Sequence, residues 1–155
     1  MRFFVVTIVV LGACAAAAQE APLKGAGEIA VVVKDLQDSA KSCGLDQAEL
    51  RDAAVRPLSG SKIKLANERS TDPMAYFIEV GALQPTSSLC TGSIGISLWD
   101  RQSVTAHGTT QQRRIVYWSV NYDVAASSDN FAQLVKDKIG EATQRFIAQW
   151  SLDQK

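Results

Sequence analysis

Histidine occurs once in the 155 residues and cysteine three times, and no two cysteines are spaced Cys-x-x-Cys. Once Cys14, in the amino-terminal segment, is removed or lipidated, a tetrahedral site built from the two remaining thiolates and one imidazole lacks ligands. His107, the one histidine, falls in a turn-like segment (residues 106–110), where a proton-transfer group would have no water-excluded pocket. The chain also has no Gly-x-Ser-x-Gly elbow, no phosphate-cradling loop and no dinucleotide fingerprint. Neither sign of charge is in excess, with 16 Lys and Arg against 16 Asp and Glu. A nucleic-acid footprint needs a basic stripe, and a membrane-surface tail needs a run of like charge; neither is present. Beyond the first eighteen residues no apolar stretch approaches the roughly 20 residues that cross a bilayer. What remains is a chain with 46% hydrophobic and 7% aromatic residues, ordinary for one globular domain. No catalytic set, metal or cofactor is expected.

The first residues carry a targeting pattern. Met1 and Arg2 supply a short positive region, residues 3–11 are apolar apart from Thr7, and residues 13–18 are almost all alanine. Ala16 and Ala18 suit cleavage before Gln19. The sequence therefore predicts a signal peptide over 1–18, a flexible leader over 19–27 and a single domain over 28–155, with a periplasmic or secreted location. The mature chain is expected to have no transmembrane segment. An alternative rests on Leu11-Gly12-Ala13-Cys14, which resembles a bacterial lipobox and implies a membrane-anchored lipoprotein attached through Cys14. In either case Cys43 and Cys90 are the two thiols left. An oxidising compartment makes one disulfide between them the economical expectation. Such a bridge stabilises the fold by about 4 kcal/mol in the chain-entropy description.

The central stretch is a pair of alternating runs. In residues 92–99, Ile94, Ile96 and Leu98 oppose Ser93, Gly95, Ser97 and Trp99. In residues 114–124, Val116, Trp118, Val120, Tyr122 and Val124 oppose Ile115, Tyr117, Ser119, Asn121 and Asp123. This period of two marks half-buried antiparallel strands, and residues 106–110 between them predict a long hairpin.

Earlier in the chain, β-branched residues 29–33 predict a strand. Residues 35–44 read as a connection with a short helical turn. Asp46 and Glu49 have the spacing of a capping box, with Leu45 and Leu50 placed as a hydrophobic staple, and Pro57 is expected to end that helix. Alternation predicts a short strand over 62–66 and a stronger one over 74–83. A loop is expected over 84–88. Near the end, Ser127, Ser128 and Asp129 offer caps for a helix. Its stripe runs through Phe131, Leu134, Val135, Lys138, Ile139, Ala142, Phe146 and Trp150, and Gly140 is placed to approach the sheet. The expected fold is α+β: a two-layer sandwich with an antiparallel-dominated sheet of four or five strands and two helices on one face. Ile94, Ile96, Leu98, Val116, Trp118 and Val120 should meet Phe131, Leu134, Ile139 and Phe146 in the core.

That arrangement leaves Phe77, Trp99, Ile115 and Tyr117 on the opposite, uncovered face, rimmed by Arg101, Arg113 and Arg114. An apolar, aromatic cluster there predicts contact with a protein partner, a small apolar ligand or a second copy in a homodimer. The competing expectation is a small hydrolase using carboxylates, such as Glu79, Asp100 and Asp123, or a hydroxyl in a cleft near the hairpin loop. The segments 43–45 and 58–63, with the helix between them, resemble the strand–helix–strand opening of small bacterial envelope modules of the TolB amino-terminal type. The hairpin tryptophan and the closing Phe146-Ile147 are similar to those of uncharacterised exported bacterial proteins. These resemblances imply an envelope protein, either a binding module or a lipid-anchored accessory of assembly or transport.

Overall fold

A computed structural model describes residues 23–24, 27–67 and 70–155. The expected signal peptide, Cys14 and most of the expected leader lie outside these described residues. The elements run β1 (Ile29–Val33), α1 (Asp38–Ser42), α2 (Gln47–Ser59), β2 (Met74–Thr86), β3 (Leu89–Ala106), β4 (Thr109–Ser127) and α3 (Ser128–Asp153). The four strands form one sheet in the order β1-β2-β3-β4. β2, β3 and β4 are antiparallel neighbours, whereas β1 lies parallel to β2, so the sheet is mixed. Parallel neighbours need a crossover long enough to return the chain to its starting end. Here α1 and α2 supply it, and with α3 they cover one face in a two-layer α+β sandwich.

Local chemistry accounts for the helices. The Asp46 carboxylate accepts from the backbone N–H groups of Ala48 (2.9 Å) and Glu49 (3.0 Å), capping α2. Only that half of the expected capping box forms: Glu49 accepts instead from Lys136 Nζ of α3 at 2.8 Å. Leu45 and Leu50 are both buried, as a staple requires. Pro57 lies inside α2, which continues to Ser59 with Leu58 fully buried. Burial of Leu58 outweighs the one lost backbone bond so close to the helix end. In α3 the buried stripe is Phe131, Val135, Ile139, Ala142 and Phe146, with spacings of three and four. The Ser127 hydroxyl does not cap α3; it accepts from the Asn130 side chain at 2.9 Å.

The core lies between this helical layer and one side of the sheet. Tyr76, Ile78, Val80, Ile94, Ile96 and Leu98 point into it from β2 and β3. Trp118 joins from β4, with its ring centroid 6.2 Å from Tyr76 and 5.3 Å from Phe146. Tyr76 reaches Thr143 with its hydroxyl at 3.0 Å. Thr143 gives its own proton to the Ile139 carbonyl (2.7 Å), so Tyr76 is the donor. Cys43, capping the end of α1, is bonded to Cys90 at the start of β3, with Cα atoms 6.0 Å apart. Leu23, inside the expected leader, is buried: its N–H donates to Asp153 (3.2 Å) and its carbonyl accepts from Gln154 (2.7 Å).

Four further expectations about the elements need correction. Residues 62–66 are not a strand; they make one parallel bridge, Ile29 with Leu65, beside β1. β2 continues through residues 84–86, expected as loop, because its hairpin turns at Ser87 and Ser88. Gly140 does not touch the sheet, since a Cβ there would meet nothing within 4 Å. Val116 is not in the core but 52% exposed on the far face, for a reason given next.

Candidate functional site

On the face that no described helix covers, adjacent strands bring small and apolar residues into rows. Val32 pairs with Phe77 and Phe77 with Ser97; Ala75 pairs with Trp99 and Trp99 with Val116. Phe77 and Trp99 touch, with centroids 6.1 Å apart. The result is an apolar stripe from Val32 to Val116 that crosses all four strands. Its ends are open, Val32 being 40% and Val116 52% exposed. Farther along the same face the side chains are small or polar as far as Leu83, which is exposed: Glu79 (paired to Lys34), Gly95, Asn121, Gly81, Ser93 and Asp123.

The register of β4 decides which residues belong here. Leu98 faces Trp118, yet the next residue, Trp99, faces Val116. Tyr117 is thus a surplus residue, a β-bulge that shares the Leu98 side with Trp118. From Val116 to the hairpin tip every side chain of β4 sits on the face opposite to the one that unbroken alternation assigns. Of the six expected site residues, Phe77, Trp99 and Arg101 share the uncovered face. Ile115, paired with Asp100, and Arg113, paired with Gln102, project from the helix-bearing side, as does Tyr117. The Tyr117 hydroxyl donates to Asp100 at 3.2 Å and accepts from Gln102. Burial and then the neighbouring Asp100 carboxylate push its phenol above the usual pKa.

Arg114 and Val116 replace the residues that leave. The Arg114 guanidinium lies 4.3 Å from the Trp99 centroid and 5.9 Å from that of Phe77. Such contacts contribute about 0.5–1 kcal/mol at exposed sites. Arg101 is directly opposite Arg114 on the same face, and neither has an acidic partner among the described residues. Beneath them the Trp99 indole nitrogen is buried without a hydrogen-bond partner. The arrangement is a rigid aromatic floor carrying two uncompensated cations, suited to holding an anionic or apolar group rather than to moving protons. Sequence reading missed Val32 and Val116. The run Val31-Val32-Val33 carried a signal for the first, since apolar residues on both sides of a strand mean that both faces have apolar neighbours.

β3 and β4 outrun the rest of the sheet. β2 stops pairing at Ala75 with Trp99, so residues 100–115 form a two-stranded ribbon ending at His107 and Gly108. Both turn residues have positive φ (51° and 76°), the signature of a type I′ turn. Ser103 with Gln112 and Thr105 with Thr110 bond across the ribbon at 2.7 and 2.8 Å.

The three carboxylates of the hydrolase expectation do not converge. Glu79 pairs with Lys34, Asp123 lies two strands from Glu79, and Asp100 is on the other face with Tyr117. His107 stands at the ribbon tip. Among the described residues no group of three His, Cys, Asp or Glu side chains could hold a metal ion, and no helix is long and apolar enough to cross a membrane. A groove between α2 and α3 holds Glu49, Asp52, Arg56, Lys136 and Glu141. Its charges mostly answer one another: Lys136 pairs with Glu49, and Glu141 with Lys138 and Arg145. No protein-family model and no curated protein matches the chain.

Proposed function

We propose that this chain is an exported binding protein without catalytic activity, working outside the cytoplasm and engaging a partner through the uncovered sheet face. The observation that carries this reading is the stripe Val32–Phe77–Trp99–Val116 with Arg114 laid over it. Apolar surface gathered on one face, rimmed by polar groups, has the character of an interaction site. The amino-terminal targeting pattern and the Cys43–Cys90 bridge support an oxidising compartment.

Site-specific photo-crosslinking in the intact cell envelope tests the proposal. A photoreactive amino acid at Val116 or Val32 should give discrete adducts, and the same group at Gln133 on exposed α3 should give none. Equal labelling from all three positions, or none from the sheet face, would overturn it. The double variant Phe77→Ser/Trp99→Ser should remain folded, judged by its thermal transition, while losing the Val116 adducts.

A further inference from the structure

The ribbon offers two things that the rest of the sheet does not. First, along residues 100–106 the outer edge of β3 has no neighbouring strand, because β2 begins at Met74 and its last pair is Ala75 with Trp99. Its outward N–H and C=O groups have no backbone partner among the described residues. Second, Arg101 and Arg114 are opposite one another on one face, where like charges repel, and Arg114 is fixed in place by Trp99. Two exposed cations held side by side without a carboxylate call for an anion from outside.

From these together we infer that the partner supplies an extended acidic segment. It pairs as an added strand along residues 100–106 of β3 and places a carboxylate against Arg101 and Arg114. Strand addition to a free edge takes its affinity from main-chain bonds and its specificity from alternate side chains. A strand in this position continues the line of β2. Its residue opposite Arg101 lies on the face that carries Trp99, where a carboxylate can bond an arginine in bidentate fashion. Side chains on its other face meet Asp100 and Gln102, and Asp100 disfavours a second carboxylate there. The selected pattern is thus acidic residues on one side only, alternating with uncharged ones. A polynucleotide fits less well, since Glu79 and Asp123 share this face and the whole chain has no net charge.

The inference rests on the binding reading above, and its test is separable from that one. The probe is a fluorescein-labelled, terminally blocked hexapeptide of alternating valine and glutamate, added to the purified chain and followed by polarisation. Saturable binding is expected, weakening steeply between low and high salt, with slowed hydrogen exchange at residues 100–106. Arg101→Gln and Arg114→Gln should each lose tenfold or more, Arg114→Lys should keep part of the affinity, and Arg113→Gln, on the other face, should lose none. Far-ultraviolet dichroism and thermal midpoints of the variants establish that each remains folded. Equal binding of the valine–glutamine peptide would overturn the inference, as would an unchanged Arg101→Gln variant. Tighter binding of anionic phosphatidylglycerol vesicles or of a single-stranded oligonucleotide would do the same. Adducts at Val116 without peptide binding would leave the face an interaction surface and reject the acidic strand alone.

Discussion

Replacing both Cys43 and Cys90 with alanine tests how the helical layer is tied to the sheet. The bridge spans 47 residues, which include all of α2 and β2, and α1 ends at its first cysteine. Closing a loop of that size restricts the unfolded chain by about 4 kcal/mol in the chain-entropy description. The two sulfur positions are almost wholly buried, 1% and 0% exposed, so alanine removes little packing beyond the sulfurs themselves. With a urea dependence of about 2 kcal/mol per molar, the unfolding midpoint should fall by about 2 M. The slope should also rise a little, because an unbridged unfolded chain exposes more surface. Equilibrium unfolding followed by tryptophan fluorescence and by far-ultraviolet dichroism measures both quantities. α1 has only five residues and is held at its end by Cys43, so its amides should exchange faster in the variant. A midpoint lowered by less than about 0.5 M with an unchanged slope would refute the reasoning, since the bridge would then restrain neither state.

Three further outcomes follow from single contacts. A Cβ at Gly92 would lie 2.3 Å from the Gly81 carbonyl and 3.2 Å from Phe131; Gly92→Ala should therefore cost about 1–3 kcal/mol in urea unfolding, whereas Gly140→Ala, in open space within a helix, should gain up to about 1 kcal/mol. Burial pushes the Tyr76 phenol far above its ordinary value of 10.0; the unfolded chain thus loses this proton first, so Tyr76's contribution is fully present below about pH 10 and is lost as pH climbs beyond it. A Tyr76→Phe variant should show a shallower fall in stability above that pH in denaturant midpoints, at a cost of about 1 kcal/mol at neutral pH for the Thr143 bond. Trp118→Ala should cost about 3 kcal/mol through lost packing on Tyr76 and Phe146, while Val116→Ser, at an exposed position, should change stability by no more than about 0.5 kcal/mol; reversed magnitudes would contradict the bulge at Tyr117.

Periodicity made the body of this fold legible. Ile94, Ile96 and Leu98 face the helices as their alternation requires, and the stripe of α3 is buried along the side its spacing marks. Asp46 reads as a cap because the side-chain chemistry of a helix start is local. The parallel placement of β1 was not legible, since a five-residue β-branched strand pairs equally well in either direction and the crossover geometry decides. Residues 62–66 alternate like a strand, but β1 offers their backbone only one bridge. The site was half legible. Phe77, Trp99 and Arg101 follow the body's alternation, whereas Ile115 and Tyr117 rest on carrying that alternation unbroken through residues 114–124, and the rim position of Arg113 rests on theirs. Nothing in the side chains there announces a bulge. The cue is at the tip, where His107 and Gly108 accept positive φ and close the hairpin in two residues rather than three.

That distance between cue and effect has a consequence for how such a chain changes over time. One residue of slack must be taken up somewhere between Trp118 and Leu98, either at Tyr117 or in a roomier loop at the tip. Moving it to the tip would slide the returning strand by one step, setting Tyr117 opposite Trp99 and Ile115 opposite Arg101 in place of Val116 and Arg114, with the body of the protein untouched. Substitutions around residue 107 can therefore act as a vernier, resetting from the far end of the ribbon whether β4 presents a guanidinium or an isoleucine at its base.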